Sequence, residues 1–358
     1  SIGKKRIAVI AGDGIGKEVM PEGIRVLEAA AVKYGIDLQF DHFDFSSWDY
    51  CEKHGKMLPD DWKDQIGGHD AIYFGAVGWP EKIADHVSLW GSLLLFRREF
   101  DQYINLRPVR LFEGVPCPLV DKRGQPRKAG DIDFFIVREN TEGMYSGRER
   151  REGDTAIAER VITVRASERI ARVAFEHAMR RRKQVTIVHK ANVLKETDGL
   201  FRDACLRIAA EFPGVVVNEL LIDACAMWLV KDPARFDVIV TTNLFGDILS
   251  DAAAMLTGSI GMLPSATLGA PDSTGRRHAL YEPIHGSAPD IAGRGIANPT
   301  AVVQSAVMML RHLHDDASAD KIERALTTLY AGGEHRTGDL GGKANTKEFT
   351  DALCKLVS

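Results

Sequence analysis

The sequence lacks any marked charge imbalance. Its 358 residues carry a formal net charge of only −4, which gives no electrostatic reason to expect nucleic acid or an anionic membrane as partner. Cysteine is sparse: Cys51, Cys117, Cys205, Cys225 and Cys354 are scattered, odd in number and without metal-type spacing. That argues against a disulfide framework and fits a reducing cytosol, so a cytoplasmic location is expected. No stretch approaches the roughly 20 uninterrupted apolar residues of a membrane span. The residues before the first expected strand show no signal-peptide pattern, and there is neither an internal repeat nor a low-complexity tract. What is present is an ordinary globular composition, 45% hydrophobic and 27% charged, in a chain long enough for about two domains.

Short β-branched runs alternate with helix-period segments. Strands are expected over Arg6–Ile10, Leu38–Phe43, Asp70–Phe74, Ile132–Val137, Val185–Val188, Val215–Leu221 and Asp237–Val240. Helices are expected over about Lys17–Tyr34, Leu89–Phe100, Ser167–Arg182 with Ser167 as cap, Asp198–Phe212 and Asp223–Val230, after Asn243, and three times after Pro299. This is an α/β pattern. Gly12-Asp13-Gly14-Ile15-Gly16 joins the first strand to the first helix, but it fails the G-x-G-x-x-G spacing, and no Ser or Thr follows Lys17. A sharp glycine turn explains it better than a phosphate cradle. Residues 143–165 read as two strands around the polar turn Glu149–Asp154, and the basic run Arg180–Lys183 as a solvated helix end.

The chemistry concentrates at element ends. Asp247 and Asp251 lie four residues apart on a helix that Asn243 can cap, so both carboxylates leave one face. They form either a wet helix face or a site for Mg²⁺ or Mn²⁺, which take oxygen ligands. Arg97, Arg107 and Arg138 sit at or near element ends, and guanidinium forks match the carboxylates of a small diacid. Lys190 follows a buried strand, as a candidate base or as a surface lysine. Asp223 stands at another strand-to-helix junction. Residues 281–299 form a long loop dense in Gly and Pro, in which Asp290 could accept from ribose hydroxyls.

Six segments then fall in one family's order: Gly12–Gly16, Asn105-Leu106-Arg107-Pro108, Val137-Arg138-Glu139-Asn140, Lys190-Ala191-Asn192, Asn243–Asp251 and His285–Asn298. Over nearly its whole length the chain resembles the β-decarboxylating hydroxyacid dehydrogenases, the isocitrate and isopropylmalate dehydrogenase superfamily. The stretches Phe74–Pro80, His86–Leu94 and Phe96–Asp101 look like the tartrate and D-malate branch. Gly91 and Leu93 stand where isocitrate enzymes carry Ser and Asn. Trp90 replaces an acidic residue usual in isopropylmalate enzymes, which suits a four-carbon acid.

The resemblance implies a two-domain α/β fold with a twisted mixed sheet, distinct from a Rossmann fold. A discontinuous NAD-binding domain would span 1–102 and 259–358. A substrate, metal and dimerisation domain would span 103–258, with the 143–165 hairpin as dimer arm. Arg97, Arg107 and Arg138 would grip the substrate carboxylates. Asp247 and Asp251, with Asp223 from the neighbouring subunit, would hold Mn²⁺ or Mg²⁺. Lys190, also from the neighbour, would act as base and Tyr145 as proton donor. His285, Gly286, Ser287, Ala288, Pro289, Asp290 and Asn298 would bind NAD, and a monovalent cation such as K⁺ is a further candidate. The implied reaction is NAD-linked oxidation, with or without decarboxylation, of tartrate, D-malate or meso-tartrate by a homodimer. The alternatives are 3-isopropylmalate dehydrogenase and a non-catalytic regulatory subunit.

Overall fold

A computed structural model describes residues 3–358. In chain order the strands are β1 (Lys5–Gly12), β2 (Leu38–Phe43), β3 (Ala71–Ala76), β4 (Ile104–Arg110), β5 (Asp133–Glu139), β6 (Glu149–Glu152), β7 (Thr155–Ala158), β8 (Gln184–His189), β9 (Val216–Leu221), β10 (Val238–Thr241), β11 (Pro264–Leu268) and β12 (Leu280–Pro283). The chain divides into two compact units. The first runs to Phe100 and adds Phe112–Pro116 and Thr257–Ser358; the second comprises Asp101–Leu111 and Cys117–Leu256. Among the described residues no helix is long and apolar enough to cross a membrane.

In the first unit the strand order is β2-β1-β3-β12-β11, with β2, β1, β3 and β12 parallel and β11 antiparallel to β12. In the second unit it is β4-β5-β10-β8-β9, with β4 antiparallel and the other four parallel. The fold is therefore mixed α/β, and its strand order is not the 3-2-1-4-5-6 of a Rossmann domain. Strands of such sheets are covered on both faces and read as unbroken apolar runs. Ile7–Ile10 and Val238–Val240 are fully buried or nearly so, each Ile or Val side chain among them contributing roughly 1.5–3 kcal/mol.

Ligands of open α/β sheets gather beyond the carboxyl ends of parallel strands, and the second unit places its chemistry there. Arg138, one residue before the end of β5, is in register with Thr241 of β10, which is level with Val188 of β8. Lys190 follows β8, Asn243 follows β10 and Asp223 follows β9.

Several expectations need correcting. Leu89–Phe100 is two helices, Asp85–Trp90 and Leu93–Glu99, broken where buried Ser92 turns its hydroxyl back to Ser88 O. The helix expected from Ser167 is Val164–Met179, capped by Thr163, whose Oγ1 accepts from Ala166 N; Ser167 lies inside and buried. The run Arg180–Lys183 is not simply solvated. Arg181 and Arg182 both reach Asp237, a fully buried carboxylate that needs compensation. The segment 281–299 begins as strand β12, and the loop proper follows it. The 143–165 hairpin contracts to β6 and β7, exposed along most of both strands.

Candidate active site

Arg138 is the most deeply buried arginine of the second unit, 1% exposed. Its Nε donates to the backbone carbonyl and to the side-chain oxygen of Asn243, both at 2.9 Å. Asn243 therefore does not cap its helix, Asn243–Leu256, as expected. It lies within the first turn, and its amide donates to Glu142 O instead. Gly246 makes room for this arrangement: a Cβ there would stand 2.6 Å from Arg138 Cγ. Arg138 Nη1 is buried without a hydrogen bond and approaches Asp247 Oδ1 only to 3.7 Å.

The neighbouring groups converge on the same carboxylate. Arg107 Nη1 lies 3.6 Å from Asp247 Oδ1 and donates to Ser250 Oγ, while its Nε donates to Asn105 Oδ1. Tyr145 Oη donates to Asp247 Oδ2 at 2.5 Å, with the Arg138 guanidinium 5.3 Å from its ring. Asp251 lies one turn beyond Asp247 on the same helix. Loss of hydration, then the Asp247 charge, pushes its carboxyl above the usual range, against the opposing pull of Arg107 and Arg138. Two such carboxylates beside a buried guanidinium suit a divalent cation chelated together with an anionic ligand.

Lys190 and Asp223 form a separate pair. Lys190 Nζ is 3.0 Å from Asp223 Oδ2, and this hydrogen bond holds the Asp223 carboxyl below the usual range. Among the described residues of a single chain, no three His, Cys, Asp or Glu side chains are placed to hold a metal ion. The helices Ile222–Lys231 and Asn243–Leu256, which carry Asp223 and Asp251, pack together and expose Met227, Val230, Ile248 and Met255, each more than half exposed.

In the first unit, carboxyl ends again cluster. Asp13, after β1, is buried and accepts from Trp48 N and Gly78 N; burial still raises its carboxyl. Ile15 N donates to Ser287 O, and Ser287 Oγ donates to Gly78 O. The glycine turn is filled by protein backbone: a Cβ on Gly14 would lie 2.0 Å from Ser287 O, with φ at +55°. Gly14→Ala should therefore cost about 1–3 kcal/mol and shift the 284–298 loop. Urea unfolding measures the cost, and an unchanged midpoint would refute this packing account.

His285 is buried, loss of hydration lowers the pKa of its ring, and its Nε2 has no hydrogen-bond partner. Gly286 and Asp290 are exposed, while Ala288, at φ +43°, and Pro289 are half-buried. The side chains of Ser287 and Asn298 are committed within the protein. Asn298 Nδ2 donates to Asp339 Oδ2, and its Oδ1 accepts from Thr300 N. Asp339 also accepts from Ser259 and Thr337. The sequence reading passed over Asp339, which lies 41 residues beyond Asn298 without a motif of its own. Arg97, on Leu93–Glu99, is half-buried in this unit.

Buried Arg107 and Arg138 and the paired carboxylates Asp247 and Asp251 thus gather in the second unit of a mixed α/β fold. The model of the isocitrate/isopropylmalate dehydrogenase family matches residues 6–353, and the chain belongs to that family. It is 50% identical to the D-malate dehydrogenase [decarboxylating] of Escherichia coli (strain K12), over 98% of each chain. It is 48% identical to the tartrate dehydrogenase/decarboxylase of Pseudomonas putida, again over 98% of each. It is 46% identical to the 3-isopropylmalate dehydrogenase of Archaeoglobus fulgidus, over 99% of each. The branch resemblance to D-malate and tartrate enzymes agrees with these findings. The regulatory-subunit alternative draws no support from them.

Proposed function

We propose that this dehydrogenase oxidises a small 2-hydroxy diacid, D-malate or a tartrate, with NAD as hydride acceptor and a divalent cation, and decarboxylates it where the substrate allows. The observation that carries this reading is the buried Arg138 with an unbonded Nη1 beside two carboxylates one helical turn apart. A buried cation with unmet donors calls for an anion, and the paired aspartates call for a cation. Both fit a metal-chelated hydroxy acid.

In this reading Arg107 and Arg138 orient the substrate carboxylates, with Arg97 as a third contact. Asp247 and Asp251, joined by Asp223 of a second chain, hold the cation, and Lys190 of that chain takes the hydroxyl proton. Tyr145, whose Oη already reaches Asp247, returns a proton to carbon after CO₂ is lost. When bound, the cation supplies Lewis-acid polarisation of the new carbonyl and NAD accepts the hydride. His285 Nε2 and the backbone of Gly286–Asp290 hold the dinucleotide. The Asp290 carboxylate would repel a 2′-phosphate, favouring NAD over NADP. The exposed apolar faces of Ile222–Lys231 and Asn243–Leu256 support a homodimer.

Trp90, on a helix that also exposes Val87 and Leu89, restricts the space left for a substrate side chain. Turnover with Mn²⁺ is to be measured on D-malate, the tartrates, 3-isopropylmalate and isocitrate, with NAD⁺ or NADP⁺, following reduced cofactor and CO₂ separately. The expected result is kcat/KM for D-malate or a tartrate about tenfold or more above 3-isopropylmalate, with NAD⁺ preferred. Equal or faster turnover of 3-isopropylmalate would overturn the substrate assignment in favour of the 46% relative's activity.

A further inference from the structure

Asp198 is fully buried, and it is neither a member of the proposed site nor one of the residues that sequence reading singled out. Its Oδ2 accepts from the backbone N–H of Lys190 at 2.7 Å. Its Oδ1 accepts from Arg160 Nε at 3.0 Å, an ion pair in which Arg160 is 9% exposed. Arg160 continues to Thr242 Oγ1 at 2.8 Å and lies 4.7 Å from the Phe245 ring. The carbonyl of Lys190 in turn accepts from Val193 N and Leu194 N. The backbone at Lys190 is thus clamped on both sides, with the ion pair as its anchor. The other end of that pair grips the root of the helix bearing Asp247 and Asp251.

A buried pair of this kind is costly to desolvate, and losing one partner leaves an uncompensated charge. A lysine at the end of a strand could be presented by the strand alone, so the stability of β8 does not require this arrangement. Its geometric effect is to fix the point from which the Lys190 side chain leaves the backbone, and catalytic groups are sensitive to displacements of about 1 Å.

We propose that Asp198, anchored by Arg160, is a positioning residue for Lys190, and that its effect is exerted in the active site of the other subunit. The inference rests on the shared-site reading above. Each chain would carry Asp247 and Asp251 for its own site and present Lys190 to its partner's. Asp198→Asn is the direct probe, because an amide can satisfy Lys190 N–H or Arg160 but not both. In the homodimer it should lower kcat about tenfold to a hundredfold, while KM changes less than threefold.

Heterodimers separate the alternatives. Differently tagged chains are co-expressed, purified by both tags and assayed with Mn²⁺, NAD⁺ and the substrate turned over fastest. Lys190→Ala with Asp247→Ala should regain one working site, about half the wild-type rate per dimer. Asp198→Asn with Asp247→Ala should also give about half, because the surviving site draws its lysine from the chain with an intact Asp198. Asp198→Asn with Lys190→Ala should be slow, about half the rate of the Asp198→Asn homodimer per dimer, because its one site with a lysine draws it from the altered chain. The reverse order of the last two pairs, or equal loss in both, overturns the proposal. A dead Lys190→Ala with Asp247→Ala heterodimer overturns the shared-site reading instead. Should Asp198→Asn not fold, Asp198→Glu, which keeps the charge but moves it by one methylene, is carried through the same pairs.

Discussion

Lys190→Ala should lower kcat by about 10²–10⁴-fold, the usual contribution of a positioned general base, with the dimer intact. The lysine stands just past the carboxyl end of β8, partly shielded, with its Nζ 3.0 Å from Asp223 Oδ2. Its side chain contributes to no core cluster, so truncation removes chemistry without opening a cavity. Substrate KM should move far less than kcat, because the carboxylates are gripped by Arg107 and Arg138 rather than by this amine. Steady-state kinetics combined with sedimentation of the variant provides the check. A loss smaller than tenfold would show that another group takes the proton.

Asp251→Asn should weaken Mn²⁺ binding and lower kcat/KM, each by about 10²-fold or more. The metal-free protein should nevertheless unfold at the same temperature as wild type, or slightly higher. The sign follows from the raised carboxyl of Asp251. A carboxyl that holds its proton more tightly when folded favours the fold below its unfolded value near 3.8, and that contribution is lost as pH rises through the folded value. Near neutral pH the ionised Asp251 therefore opposes folding of the metal-free chain, mainly through lost hydration and then through the Asp247 charge. An uncharged amide relieves both. Calorimetric Mn²⁺ titration and thermal unfolding in chelator test the two halves separately. Unchanged affinity would remove Asp251 from the cation site, and a drop of several degrees would make its role structural. Activity is exchanged here against stability at one side chain.

Much of this was legible in the chain. The apolar runs within β1, β8 and β10 (Ile7–Ile10, Val185–Val188 and Val238–Val240) are buried on both faces, so composition alone marks them. The four-residue spacing of Asp247 and Asp251 needs only a helix to bring them onto one face. Other elements were illegible because tertiary partners decide them. Strand β4 contains Asn105 and Pro108, poor strand formers, and is held by its antiparallel pairing with β5. Helices Trp48–His54 and Trp62–Ile66 are short and propensity-poor. Tyr50 and Trp62 fix them in a cluster with Phe96 and Phe100. Asn243 has the composition of a cap but serves Arg138, a partner 105 residues away. The Arg160–Asp198 pair spans 38 residues and matches no motif. Such pairings emerge only when strand order brings loop ends together.

Gly246 has one further consequence, for anyone engineering this chain. Glycine within a helix is about 1 kcal/mol less favourable than alanine, so Gly246 would head any list of stabilising substitutions drawn from propensity scales. Yet the missing methyl is the channel through which the Arg138 aliphatic stem passes. The helix is left weaker than its sequence need make it so that a guanidinium can lie beneath it, and thermostabilisation schemes that score helices in isolation should exempt this position.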